Sequence, residues 1–186
     1  MALTQYYTAT SIDGYIADQD NSLDWLFEAD ADDEADKADP FSQFFDQVGA
    51  FALGATTYQW ILDHHKPEEW QRFYGTTPAW VFTHRTLPEL PGAVLHFVQG
   101  DVAPVHEAML AAAGGKNVWL VGGGELVGQF ADRGLLDEII VAVAPVTLGG
   151  GAPLLPRRLT SRDLTLVEAK QAGPFAKLRY RLGRAG

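Results

Sequence analysis

One stretch decides how this chain folds: VWLVGGGELVGQF, residues 118–130. Its first four residues are apolar and predict a buried strand, which three glycines end. The apolar spacing of Leu126, Val127 and Phe130 then predicts a helix. A second apolar run at residues 138–143 predicts another strand directly afterwards. The order of strand, glycine turn, helix and strand indicates an α/β fold.

The glycine triplet at residues 122–124 has two explanations. Glycines between a strand and a helix let the backbone turn tightly, and the N–H groups at the helix start can then face an anion. Alternatively, the glycines only allow the helix to pack closely on the sheet. The Rossmann dinucleotide motif G-x-G-x-x-G is excluded, because it needs glycine where Val127 stands.

Composition narrows the class of protein. The 186 residues fit one domain, residues 1–186, and the 47% hydrophobic content is enough to fill a core. The chain has no cysteine, which excludes disulfides and thiolate metal sites. A net charge of −10 argues against nucleic-acid binding. Since no apolar run is long enough for a membrane span and no signal-peptide pattern is visible, we expect a soluble, cytoplasmic protein.

Four further apolar runs predict strands before the glycine triplet, at residues 3–9, 50–53, 79–83 and 94–98. Thr56 or Thr57 is expected to cap a helix after the second of these, and residues 63–77 are expected to form a surface excursion. Residues 164–169 and 175–182 predict an antiparallel hairpin. Together these elements predict a mostly parallel sheet of about eight strands, with flanking helices and a C-terminal antiparallel hairpin.

Three of the predicted strands end in a similar way. One runs into Gly54 and a helix, one into His84 and Arg85, and one into the glycine triplet. Because the carboxyl ends of parallel strands share one edge of a sheet, two helix N-termini and one arginine are expected to meet there. That combination suits a ligand with several separated phosphates, such as a dinucleotide.

Four segments together resemble the dihydrofolate reductase fold, and more closely the reductase domain of bacterial riboflavin-biosynthesis deaminase-reductases and their free-standing relatives. These segments are DGYIA at 13–17, LGATTY at 53–58, VFTHR at 81–85 and VGGGEL at 121–126. The resemblance covers essentially the whole chain. It implies an NADPH-dependent oxidoreductase that transfers hydride to a pterin-like or aminopyrimidine substrate, such as a 5-amino-6-(5-phosphoribosylamino)uracil. It also implies a homodimer.

The resemblance implies a role for particular residues in binding NADPH. The phosphates nearest the adenosine would be bound at a helix start by Gly54, Ala55, Thr56 and Thr57. The adenosine and its 2′-phosphate would lie beside Thr83, His84 and Arg85. The pyrophosphate near the nicotinamide would be bound by Gly122, Gly123, Gly124, Glu125 and Leu126. The nicotinamide pocket would be lined by Ile16 and Ala17.

Arg85 suits the extra phosphate of NADPH, because a guanidinium binds phosphate bidentately. The alternative for Arg85 is a solvated arginine at a strand end. Two positions depart from the family pattern: Ala55 stands where relatives often have Arg or Lys, and Val121 where riboflavin-pathway enzymes usually have Glu. Binding at the first phosphate would therefore depend on backbone amides and threonine hydroxyls.

Fewer sequence signals indicate the residues that would contact the substrate. The resemblance places Trp25 at the substrate mouth and Asp30 where dihydrofolate reductases have their proton-donating acid, although most acids of the surrounding run must be solvated. Asp13 is a second candidate for proton transfer or substrate binding, and the alternative is a turn residue before glycine. We expect no metal site. The aromatic residues Trp60, Trp70, Phe73 and Trp80 are expected in the core or a subunit contact.

Two other functions fit the same residues. A true dihydrofolate reductase would oxidise NADPH with dihydrofolate and be inhibited by methotrexate. A non-catalytic NADPH-binding or sensing module would bind the cofactor without turnover. All three predictions include a small-molecule ligand and exclude nucleic acid and membrane as partners.

Overall fold

The computed structural model of the protein describes residues 1–30 and 40–183. Ten strands and six helices are formed by these residues. In chain order they are β1 (Thr4–Thr10), β2 (Tyr15–Ala17), α1 (Asp24–Asp30), α2 (Pro40–Phe45), β3 (Val48–Gly54), α3 (Ala55–His64), α4 (Pro67–Tyr74), β4 (Ala79–Phe82), β5 (Leu95–Val98), α5 (Val102–Ala112), β6 (Asn117–Gly122), α6 (Gly124–Asp132), β7 (Glu138–Val143), β8 (Ala152–Pro153), β9 (Leu164–Ala172) and β10 (Phe175–Leu182).

Eight of the strands form one sheet in the order β5-β4-β3-β6-β1-β7-β10-β9. The pairs from β5 to β7 are all parallel, whereas β10 is antiparallel to both β7 and β9. The predicted sheet, with its C-terminal antiparallel hairpin, is confirmed.

Both faces of this sheet are buried, and β3 shows why its sequence is a continuous apolar run. Ala50 and Ala52 belong to a core that also contains residues of α5 and α6. Phe51 and Leu53 point to the other face and pack with residues of α3 and α4. Successive side chains of a strand alternate between faces, so a strand covered on both sides needs apolar residues throughout.

Three local features differ from the sequence prediction. Residues 63–77 contain helix α4, whose Trp70 is almost fully buried against Phe51 and Tyr74. The cap of α3 is Gly54 and not a threonine, because the helix begins directly at the end of β3 and leaves Thr56 and Thr57 inside its first turn. A second, two-stranded sheet of β2 and β8 was not predicted.

Among the described residues, no helix is long and apolar enough to cross a membrane.

Candidate functional site

The register of the parallel strands brings the predicted strand ends to one edge of the sheet. Leu53 pairs with Gly122 across β3 and β6, and Gly54 pairs with Phe82 across β3 and β4. The glycine triplet, the start of α3 and the segment after β4 therefore follow three neighbouring strands at the same edge, as predicted.

A cavity of about 700 Å³ opens at this edge, between the β3 and β6 ends and the small β2–β8 sheet. A volume of this size is typical of small-molecule and cofactor sites. Its lining residues are Thr8, Ala9, Ile16, Ala17, Asn21, Leu23, Leu26, Gly54, Ala55, Thr56, Thr57, Trp60, Val121, Gly122, Gly123, Gly124, Glu125, Leu126, Ala152, Pro153 and Pro156.

Eleven of the predicted cofactor residues line this one cavity. They are Ile16, Ala17, Gly54, Ala55, Thr56, Thr57, Gly122, Gly123, Gly124, Glu125 and Leu126. Residues from three distant parts of the sequence are thus brought together around a single space.

Two helix N-termini border the cavity, and both begin with a glycine cap. Gly54 caps α3 and Gly123 caps α6, and neither helix has a side-chain hydrogen bond at its cap. The amides of a first helical turn have no acceptor within the helix, so they need an acceptor from outside it. Two such helix starts border one cavity, and helix N-termini of this kind are able to bind anions through their backbone amides.

Glycine is required at the first and at the third position of the triplet, for two different structural reasons. Gly122 has φ +133°, a conformation that other residues rarely adopt. A Cβ on Gly124 would lie 2.5 Å from the carbonyl oxygens of both Pro153 and Leu154, so this glycine allows α6 to pack against the β8 segment. Close packing therefore explains the third glycine, and it is the β8 segment rather than the sheet that packs there.

The outer wall of the cavity is the β2–β8 sheet, and Asp13 anchors it. The Asp13 carboxylate accepts hydrogen bonds from the Ser11 hydroxyl at 2.6 Å and from the backbone N–H groups of Leu148 and Gly149. These hydrogen bonds lower the pKa of Asp13 to about 2, and the bond from Ser11 has the largest effect. Asp13 does not line the cavity, and this geometry fits the turn residue that was its alternative explanation.

The remaining predicted cofactor residues lie at the same edge but outside the cavity. Thr83, His84 and Arg85 follow β4, whose last residue pairs with Gly54. The backbone N–H of Arg85 donates to the Thr83 hydroxyl at 2.9 Å, and Nδ1 of His84 lies 3.0 Å from the side-chain oxygen of Gln99. The Arg85 side chain is exposed, which fits both a cation accessible to a ligand and the alternative of a solvated arginine at a strand end.

The two predicted residues at the substrate end lie on α1. Trp25 is buried and does not line the cavity, whereas its helix neighbour Leu26 does. No hydrogen-bond partner of the Trp25 indole N–H is found among the described residues. Asp30 is the last residue of α1, and its side chain lies outside the described part of the structure.

Trp60 is a lining residue that the sequence prediction missed. Its ring stacks on that of His64, with centroids 4.5 Å apart, and on that of Phe27, with centroids 6.3 Å apart. The expected core role of Trp60 agrees with its packing against the core on the α3 and α4 side of the sheet, but the residue also forms part of the cavity wall. Its place on α3, three residues after Thr57, was the available signal.

A search with protein-family models matches residues 4–178 to the RibD C-terminal domain. The chain belongs to the RibD C-terminal domain family.

Two similar proteins match almost the whole length of the chain. YwjB of Bacillus subtilis (strain 168), an uncharacterised protein, is 33% identical over 183 residues, which is 95% of this chain and 96% of YwjB. A crystal structure from Shewanella sp. PV-4, provisionally named as a riboflavin biosynthesis protein, is 25% identical with a TM-score of 0.77 and covers 99% of this chain and 100% of its own.

The dihydrofolate reductase-like fold is also confirmed. The dihydrofolate reductase of Enterococcus faecalis, solved with NADP(H) and RAB-propyl, has a TM-score of 0.58, and the match covers 97% of this chain and 96% of the reductase chain. At 12% identity that likeness concerns the fold alone.

Charge is scarce in the cavity of this RibD C-terminal domain. Glu125 is the single ionisable side chain among the described lining residues. Its carboxylate forms an ion pair with Arg157, whose guanidinium hydrogen bonds lower the pKa of Glu125. Within the described residues, no group of three or more His, Asp or Glu side chains could hold a metal ion.

We predict that Asp13→Ala loosens the outer wall of the cavity. Because the variant loses the acceptor for two backbone N–H groups, the amides of Leu148 and Gly149 should exchange with deuterium about tenfold faster or more. Hydrogen exchange followed by NMR at neutral pH measures this. Asp20→Ala, an exposed change in the neighbouring turn, is the control. Unchanged exchange in Asp13→Ala would show that the carboxylate does not anchor the wall.

Proposed function

We propose that this protein is an NADPH-dependent reductase acting on a pterin-like or aminopyrimidine heterocycle of the riboflavin-pathway type. The observation that carries the proposal is the pair of glycine-capped helix N-termini, at Gly54 and Gly123, on one cavity of about 700 Å³. Membership in the RibD C-terminal domain family supports a reductase. The NADP(H) bound to a dihydrofolate reductase of the same fold supports the cofactor.

The residues at the cavity fit a dinucleotide with separated phosphates. The amides of residues 54–57 would bind the phosphate nearest the adenosine, and the amides of residues 123–126 the pyrophosphate near the nicotinamide. Glycine caps leave no side chain between these amides and a ligand. Thr56 and Thr57 line the same space, and their hydroxyls would be able to donate hydrogen bonds where Ala55 offers no cation.

The other lining residues would orient the reacting groups and exclude water. Ile16 and Ala17 would cover the nicotinamide end from the β2–β8 wall, which Asp13 anchors. NADPH supplies the hydride when bound. The proton must then come from the protein or from water, and Asp30 on α1 remains our candidate donor. Trp25 remains our candidate for packing at the substrate end, through α1.

The second candidate function is a non-catalytic NADPH-binding module. The scarcity of charge favours it, since Glu125 is the single ionisable residue of the described lining and it is paired with Arg157. A carboxylate in an ion pair with a lowered pKa is a poor proton donor near neutral pH. Substrate-dependent turnover by the unmodified protein separates the two functions.

We predict that Arg85→Ala weakens NADPH binding but not NADH binding. The exposed guanidinium would contact only the 2′-phosphate, and a hydrogen bond to a charged group contributes about 1.5–3 kcal/mol, so the NADPH Kd should rise about tenfold or more. Cofactor fluorescence titration measures both affinities. Arg162→Ala is the matched control, since Arg162 is also exposed and lies outside the cavity. Equal losses for NADPH and NADH would contradict this role.

We predict that Asp30→Asn keeps NADPH binding within about twofold while substrate-dependent NADPH oxidation falls roughly 100-fold or more, because general acids contribute at least that much. Stopped-flow absorbance of NADPH, with the aminopyrimidine and dihydrofolate as alternative substrates, measures the rate. Glu28→Gln on the same helix is the control. Full activity in Asp30→Asn would remove Asp30 as the donor. Tight binding without turnover in the unmodified protein would favour the non-catalytic module.

We also propose a homodimer formed through the hairpin end of the sheet. Leu166 and Val167 of the edge strand β9 are 51% and 41% exposed, and exposed apolar pairs on an edge strand favour association. Light scattering should give twice the mass of one chain, and Leu166→Asp with Val167→Asp should give the mass of one. A monomeric unmodified protein would contradict the proposal.

A further inference from the structure

The N-terminus of α6 carries an acidic residue where the proposed ligand is also acidic. Glu125 lies in the first turn of α6 and lines the cavity. A carboxylate there is attracted by the same positive end of the helix dipole that would attract a phosphate. An unpaired Glu125 would therefore compete with an anionic ligand and repel it.

Arg157 neutralises the Glu125 carboxylate by binding it with both terminal nitrogens of the guanidinium. Its two terminal nitrogens donate to the two Glu125 oxygens at 2.9 and 2.8 Å. Its Nε donates to Asp132, at the far end of α6, at 2.8 Å. The Arg157 side chain is only 22% exposed, so it is held in place more firmly than an ordinary surface arginine.

Gly128 fixes where the guanidinium lies. A Cβ at residue 128 would come within 2.7 Å of the Arg157 Cζ, so the guanidinium lies directly on the backbone of α6 at this glycine. Glu125, Gly128 and Asp132 follow one another at spacings of three and four residues and so share one face of the helix. The Glu125 carboxylate is therefore bound by a guanidinium that lies beside residue 128, one turn along this face from the helix start.

Arg157 also belongs to the segment that forms the cavity wall. It follows β8, whose Pro153 lines the cavity and pairs with Tyr15 of β2. The ion pairs of Arg157 therefore connect the wall to the helix whose N-terminus borders the same cavity.

We infer that Arg157 is a positioning residue that holds the Glu125 carboxylate away from the α6 N-terminus and so keeps these amides open to the diphosphate group of the ligand. This inference rests on the proposed binding of a phosphorylated cofactor. Arg157 acts through Glu125 and does not contact the ligand.

The test is a double-mutant comparison. Arg157→Met removes the charge and keeps an unbranched apolar stem, and it should weaken NADPH binding about fivefold to tenfold, because an uncompensated carboxylate then stands beside the phosphates. Adding Glu125→Gln to Arg157→Met should restore the affinity to within about twofold, since the repelling charge is gone. Adding Asp132→Asn instead is the matched control and should restore nothing, because Asp132 lies roughly 10 Å farther along the helix.

Two further measurements separate electrostatics from a merely structural role. The loss in Arg157→Met should shrink as salt is raised, since screening weakens the repulsion. If Arg157→Met does not fold, Arg157→Lys replaces it, because lysine keeps the charge but cannot form the bidentate contact. NADPH affinity should then fall about threefold, and adding Glu125→Gln should reverse this loss. Unchanged binding in Arg157→Met, or a double variant as weak as Arg157→Met, would overturn the inference and leave Arg157 as a structural tether.

Inorganic pyrophosphate, titrated by calorimetry in the same variants, distinguishes failure of this inference from failure of the proposed cofactor. If the unmodified protein binds pyrophosphate but not NADPH, the cofactor proposal is wrong and the pair is judged by the same pattern of loss and rescue with pyrophosphate. If it binds neither, the α6 N-terminus is not a diphosphate site and both proposals are wrong.

Discussion

The site depends on one constraint, the parallel register that ends β3 and β6 side by side. Leu53 stands opposite Gly122, so α3 and α6 both begin at the same edge of the sheet. Each helix starts directly after its strand with a glycine cap and no capping side chain. Two sets of backbone amides therefore converge on one cavity without an acceptor from the helices themselves, and an anionic ligand is the natural partner for them.

Much of this arrangement could be predicted from the sequence, because short sequence patterns locate the strand ends and the topology of a parallel sheet brings those ends together. Apolar runs that end in glycine locate the strand ends, and parallel strands place those ends together. That reasoning was enough to assemble the segments at residues 54–57 and 122–126 around one space, and to predict the hairpin at the end of the sheet. These are features in which neighbouring residues along the chain decide the outcome.

The sequence could not reveal features that depend on contacts between distant residues. Strand β8 has two residues and exists only because Ala17 and Tyr15 of β2 pair with it. Arg157 and Glu125 are 32 residues apart and carry no pattern that joins them. Trp60 looks like any other aromatic of an amphipathic helix; its spacing from Thr57 was a weak signal, and the tertiary position of α3 is what shows that it lines the cavity.

The shortage of charge in the cavity also bears on selectivity. Backbone amides bind phosphate, sulfate and carboxylate alike, so the two helix starts alone would not distinguish one dinucleotide from another. Under the proposed function, discrimination between NADPH and NADH must come from outside the cavity, where Arg85 is exposed. Recognition of the heterocyclic substrate would come mainly from shape and stacking, for which Trp60 of the cavity wall and the residues of α1 are available. Neutral dipoles would then supply affinity, and peripheral groups would supply specificity.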